Sequence, residues 1–218
     1  TQTKISKINH EFDLIVFSHS LQYVEDLQNI FANIKCLLKP EGKIFIQIPD
    51  IMKKQSALSL GDQLYHFTPN TLRGLLNGCG FGSTIIENTF FPRDLLLVAD
   101  QKPNKCEFNF YEDHKFVRTA INALTDLPSR LEIDKYGDRF GVFGTAIDAA
   151  LIDSICHQAA YFVDENPLKA GGKFRNRLVH HPAELCETDI VLMPHEMFQS
   201  TLTDRLKSQY KCKFLAAL

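Results

Sequence analysis

Phe12-Asp13-Leu14-Ile15-Val16-Phe17-Ser18-His19-Ser20 opens the stretch that decides the fold, which runs through Leu38-Lys39-Pro40-Glu41-Gly42-Lys43 to Ile48-Pro49-Asp50. Leu14 to Phe17 is a short apolar run of the kind that a parallel sheet buries on both faces. It stops at polar Ser18-His19-Ser20. From Leu27, the apolar residues Leu27, Ile30, Phe31, Ile34, Leu37 and Leu38 recur at helical steps, one face of a helix about three turns long. Asp26 is its expected N-cap, with Pro40 and Gly42 as its end. Lys43 to Ile48 reads as a second strand, closed by Pro49. Strand, helix and strand within about forty residues make a right-handed crossover, and ligands of such sheets sit outside the carboxyl ends of the strands. Ser18-His19-Ser20 and Pro49-Asp50 are therefore expected to be neighbours on one functional edge.

Further along, Ile51 to Gly61 reads as a mobile polar connection of the sort that covers a substrate pocket. Thr68 is a natural N-cap, Pro69 suits the first helical position, and Leu72, Leu75 and Leu76 form an apolar stripe up to Gly78 and Gly80. Ser83–Phe91 and Asp94–Asp100 read as two antiparallel strands that turn at Pro92-Arg93.

Four fragments in this order carry a resemblance. They are Asp13-Leu14-Ile15-Val16 with Ser18-His19, Leu38-Lys39-Pro40 with Gly42-Lys43, Tyr65-His66-Phe67-Thr68-Pro69, and Gly80-Phe81. Together they resemble the second half of a class I S-adenosylmethionine-dependent methyltransferase, from its strand four to the turn into strand six. The resemblance implies S-adenosylmethionine as cofactor, with Ser18 and Ser20 facing it and His19 near its sulfonium end or the substrate. His19, His66 and Tyr65 are the catalytic candidates, because methyl transfer needs a nucleophile whose proton is removed and an imidazole suits that role. The plainer readings are that His19 caps the strand and that Tyr65-His66-Phe67 is packing. In that family the glycine-rich cofactor loop and the acidic residue that binds the ribose both precede strand four. Residues 1–11 are too short to hold them, so the chain is expected to be a fragment of a longer protein, inactive by itself.

Lys102-Pro103-Asn104-Lys105 reads as a linker, so residues 1–102 form the first expected domain. Residues 103–138 form a helical bridge, with Phe116, Ala120, Ile121 and Leu124 on one face and a break at Pro128. Residues 139–218 start a new series. It has a strand at Phe140–Phe143, a turn at Gly144-Thr145-Ala146, a helix over Ile147–Ile155 and a strand at Ala160–Val163. A strand at Asp189–Met193 follows, ending at Pro194-His195-Glu196, then a helix over Phe198–Tyr210 and a strand at Cys212–Ala216. The fold class is α/β, an incomplete class I methyltransferase sheet plus a second small Rossmann-like domain.

Gly144-Thr145-Ala146 and Val163-Asp164-Glu165-Asn166-Pro167-Leu168-Lys169-Ala170-Gly171 resemble the C-terminal domain of sugar C-methyltransferases. Gly144 and Asp164 lie about 20 residues apart, the usual spacing of glycine turn and acidic residue in dinucleotide folds. Gly144, Thr145, Asp164 and Asn166 are therefore candidate nucleotide-binding residues, beside the alternative of a purely structural domain. The same resemblance departs from its family at Leu60 and Gln63, which stand where that family carries its catalytic Tyr and His. Carbon methylation by that family's mechanism is therefore not expected, while methylation of an oxygen or nitrogen, with an easier proton, remains open. The implied partner is a small molecule, a sugar or nucleotide-sugar. The rival reading is a non-catalytic module that binds a nucleotide-sugar or a partner.

A net charge of −2 and a pI near 6.4 give no electrostatic reason to expect nucleic acid or an anionic membrane as partner. The six cysteines lie far apart and the histidines show no zinc-type spacing, so neither a disulfide frame nor a metal site is expected. No apolar run approaches the roughly 20 residues of a membrane span, and a soluble cytoplasmic protein is the expectation.

Overall fold

The computed structural model describes residues 8, 10–87, 89–104, 108–131, 133–137, 139–194 and 199–216. The chain forms two compact units, Thr1–Ala120 and Ile121–Leu218. The fold is mixed α/β, with parallel strand pairs in both units.

In the first unit, β1 (Phe12–Ser18), α1 (Leu27–Leu37) and β2 (Leu38–Pro49) make the crossover, and β1 pairs with β2 in parallel. After α2 (Pro69–Gly78), β3 (Gly82–Ile86) and β4 (Asp94–Asp100) form an antiparallel hairpin, and β4 also pairs antiparallel with β2. The sheet order is β1-β2-β4-β3. Asp26 caps α1 by accepting from the Asn29 N–H at 2.9 Å. Leu27, Phe31 and Ile34 then pack with Ile44, Ile46, Ile48, Leu72, Leu76 and Phe81 into one core.

Several expectations are corrected here. Leu14–Phe17 is not buried on both faces: Leu14 and Val16 are each 54% exposed, while Ile15 and Phe17 pack on the core. The reason is that β1 is an edge strand of the described sheet, paired only with β2, so its alternating side chains divide between core and solvent. Pro40 and Gly42 do not end α1. The helix passes straight into β2 at Leu38, and residues 39–42 bulge where the register jumps from Phe12↔Leu38 to Leu14↔Lys43. A bulge tolerates Pro40, which has no N–H to pair. A Cβ at Gly42 would lie 2.8 Å from the Phe12 carbonyl oxygen, so the close approach itself requires glycine. Residues 51–61, expected as a polar connection, anchor two apolar side chains: Ile51 and Ala57 are buried, and Gln55–Ser59 forms a 3-10 turn. The strand expected up to Phe91 stops at Ile86.

The second unit holds α4 (Leu127–Arg130), β5 (Phe140–Phe143), α5 (Ile147–Cys156), β6 (Ala159–Val163), β7 (Lys173–Phe174) and β8 (Arg177–His180). These are followed by β9 (Ile190–Met193), α6 (Gln199–Gln209) and β10 (Lys213–Ala216). The sheet order is β10-β9-β5-β6-β8-β7, parallel except for the short β7 at one edge. Strand order reverses between β5 and β9, the switch point of a doubly wound sheet. The β7–β8 hairpin was not foreseen from the sequence, because two-residue and four-residue strands carry almost no periodic signal. The unit boundary falls inside α3 (Tyr111–Thr125), on which Ala120 is buried while Ile121 is exposed, so the expected four-residue apolar face is not formed. His195, Glu196, Phe198, Lys105 and Cys106 lie outside the described residues. Among the described residues, no helix is long and apolar enough to cross a membrane, and no group of three metal-ligating side chains occurs.

Candidate functional site

The carboxyl ends of β1 and β2 meet the amino end of β4, because β4 runs antiparallel to both. That topology assembles a polar cluster. At the end of β1 the backbone of His19 turns left-handed, with φ of 46°, and its N–H donates to the Gln47 carbonyl at 2.8 Å. Such a conformation is strained for a residue with a side chain and persists only where its surroundings hold it. The imidazole Nε2 of His19 lies 3.1 Å from Asp94 Oδ2, and Gln47 Nε2 donates to that same oxygen at 2.6 Å. Ser18 Oγ in turn donates to Gln47 Oε1 at 3.5 Å. The His19 side chain is 45% exposed and that of Asp94 15%, so the acid sits beneath a ring that faces outward.

The other residues of the edge are placed as follows. Ser20 makes no side-chain cap to the 3-10 turn Leu21–Tyr23 that follows it. Asp50 is buried, and its N–H donates to the Arg93 carbonyl at 3.0 Å. Burial pushes its carboxyl above the ordinary carboxylate range, opposed by the Met52 N–H and by Lys53. Its oxygen closes the turn at Met52 N, a structural role. The Tyr65 hydroxyl donates to the Glu25 carbonyl at 3.1 Å and its ring stacks on Phe67, which accounts for this side chain by packing. His66 Nδ1 is buried without a hydrogen-bond partner among the described residues, and burial lowers the tendency of this ring to take a proton. Gln22 is buried too; its backbone carbonyl accepts from the Leu64 and Tyr65 N–H groups, while its Oε1 has no hydrogen-bond partner among the described residues.

Sequence reasoning named Ser18, His19 and Ser20 but missed Asp94 and Gln47. Gln47 left a signal, as the one amide among Ile44, Ile46 and Ile48. Asp94 left none, because it stands 75 residues from His19.

The second unit has its own cluster. Gly144, at the carboxyl end of β5, has φ of 90°, a conformation suited to glycine, and a Cβ there would meet nothing within 4 Å. Asp164 Oδ2 accepts from Thr145 Oγ1 at 2.6 Å and from Lys169 Nζ at 3.0 Å, while Oδ1 accepts from the Asn166 N–H at 3.0 Å. Burial raises the Asp164 carboxyl, but the bonds from Thr145, Asn166 and Lys169 together bring it below the ordinary range. Asp164 thus ties the β5 turn to the Asn166–Lys169 loop.

Residues 1–82 match the methyltransferase domain family. The cluster of Ser18, His19 and Gln47 falls inside the matched stretch, and Asp94 falls beyond it. Among solved structures, a DhpI–SAH complex aligns at 16% identity with a TM-score of 0.36, covering 44% of this chain and 50% of that one. The chain therefore spans half the length of that structure. No curated protein matches the chain.

Proposed function

We propose that the full natural chain transfers a methyl group from S-adenosylmethionine to an oxygen or nitrogen of a small molecule, a sugar or nucleotide-sugar, with His19 as the base. The observation that carries this reading is the His19–Asp94 pair at the carboxyl edge of parallel strands, on a unit that bears the methyltransferase-domain match. An outward imidazole backed by a carboxylate is the arrangement that takes a proton from a substrate.

The residues present fit the reactive end of the methyl donor. Ser18 and Ser20 supply hydroxyls at the edge where β1 ends. S-adenosylmethionine, when bound, supplies an electrophilic methyl carbon on a sulfonium. His19 takes the acceptor's proton, while Ser18 and Ser20 orient polar groups beside it. The second unit grips a nucleotide through the open turn at Gly144 and Thr145, and Asp164 and Asn166 hold that turn in shape. The protein works in the cytoplasm on a diffusible substrate.

The test is calorimetry of the full natural chain with S-adenosylmethionine, followed by transfer of radiolabelled methyl to a panel of nucleotide-sugars. Saturable heat and label transfer are expected, with His19→Ala abolishing transfer but not binding. No heat with the methyl donor would overturn the reading and leave a non-catalytic nucleotide-sugar-binding module.

A further inference from the structure

Resting on the reading of His19 as the base, we infer that Asp94 is a positioning residue that commits His19 to a single tautomer, with Gln47 as its brace. The hydrogen-bond pattern carries the argument. A carboxylate only accepts, so the His19 nitrogen 3.1 Å from Asp94 Oδ2 must be the one that bears the proton. Nε2–H therefore points at Asp94, and Nδ1 is left bare to receive a proton.

The orientation of Gln47 is set by the same logic. Its Oε1 faces the Ser18 hydroxyl and its Nε2 faces Asp94; a flipped amide would set its oxygen against the carboxylate 2.6 Å away. Gln47 also holds the backbone of His19, by accepting its N–H at 2.8 Å. Both the ring's partner and the ring's point of attachment are thus referred to one residue in the middle of the sheet. Of the two side chains that meet Asp94 Oδ2 in this network, Gln47 is neutral and His19 can carry charge, so the carboxylate is placed to stabilise the imidazolium once it forms.

The step balances. The acceptor's O–H or N–H proton goes to His19 Nδ1, the acceptor atom forms its bond to the methyl carbon, and the S–CH3 electron pair stays on sulfur. A neutral thioether, a methylated acceptor and an imidazolium result, and the positive charge has moved from sulfonium to His19.

The experiment is nitrogen NMR of the full natural chain labelled with 15N-histidine, with no donor or acceptor added and His19→Gln used to assign the resonance. The wild type is expected to show one fixed tautomer, pyrrole-like at Nε2 and pyridine-like at Nδ1. Asp94→Asn, whose amide can donate as well as accept, and Gln47→Met, which removes the brace, are both expected to give averaged nitrogen signals. In methyl transfer, Asp94→Asn is expected to lower kcat at least tenfold with KM for the methyl donor unchanged, and Asp94→Glu is expected to recover part of the loss. A wild-type ring protonated at Nδ1, or nitrogen signals that Asp94→Asn leaves unchanged, would overturn the inference even if methyl transfer is found. A fixed Nε2–H tautomer with no donor binding would instead defeat the proposed function.

Discussion

Gly141 and Tyr161 are cross-strand partners on β5 and β6, and the tyrosine ring fills the space that a side chain at position 141 would take. A Cβ there would lie 2.2 Å from Tyr161 Cε2. The ring cannot easily retreat, because it is buried and its hydroxyl donates to the Ile190 carbonyl at 3.3 Å. Gly141→Ala is expected to destabilise the second unit by about 1–3 kcal/mol through overpacking. Urea unfolding would measure it, and adding Tyr161→Leu should recover part of the loss as a non-additive pair.

Asp153 on α5 is only 3% exposed and accepts from Arg175 Nε at 2.8 Å and from Arg177 Nη1. Arg175 and Asn176 both have positive φ, the turn that a two-residue hairpin demands, so this carboxylate pins the β7–β8 hairpin to the helix. Asp153→Ala strips a buried charge pair of one partner, at about 3 kcal/mol. Both guanidiniums can rehydrate, so the loss should fall toward the low side of that figure. The urea midpoint of unfolding reports it.

His66 makes stability depend on pH. Burial lowers its pKa from the ordinary 6.5, so the unfolded chain binds this proton more readily than the fold does. Its contribution is complete above 6.5, is lost as the pH falls below that value and levels off beneath the folded pKa. Denaturant unfolding between about pH 5 and pH 7 should show this slope in the wild type and a shallower one in His66→Gln.

Thr68 joins two devices. Its side chain and that of Thr71 form a reciprocal cap on α2, and its hydroxyl also donates to buried Asp113. Thr68→Ala removes the cap and a donor to a buried carboxylate, a combined loss of about 2 kcal/mol. Thr68→Ser should keep most of it. Thermal unfolding of the first unit would separate the two.

Local chemistry made much of the fold legible. Asp26 and Thr68 announce helix starts through their own side chains, and α1, α2, β4, β6 and β9 follow from periodicity within a few residues. Burial on both faces of Leu14–Phe17 was misjudged because it depends on how many strands flank β1, which no local pattern encodes. The hairpin over 173–180 was missed because it is stabilised by Asp153 on a distant helix rather than by its own composition.

At the candidate site the division is equally physical. That Ser18-His19-Ser20 ends a strand before a crossover helix could be read locally, since hydrophobic runs and capping residues act over one or two turns of chain. That Asp94 and Gln47 stand behind His19 follows from the assembled sheet alone, because hydrogen bonds between strands depend on sheet order and strand direction. An antiparallel β4 beside β2 brings its first residue to the edge where β1 ends; a parallel one would have carried Asp94 to the opposite edge of the sheet.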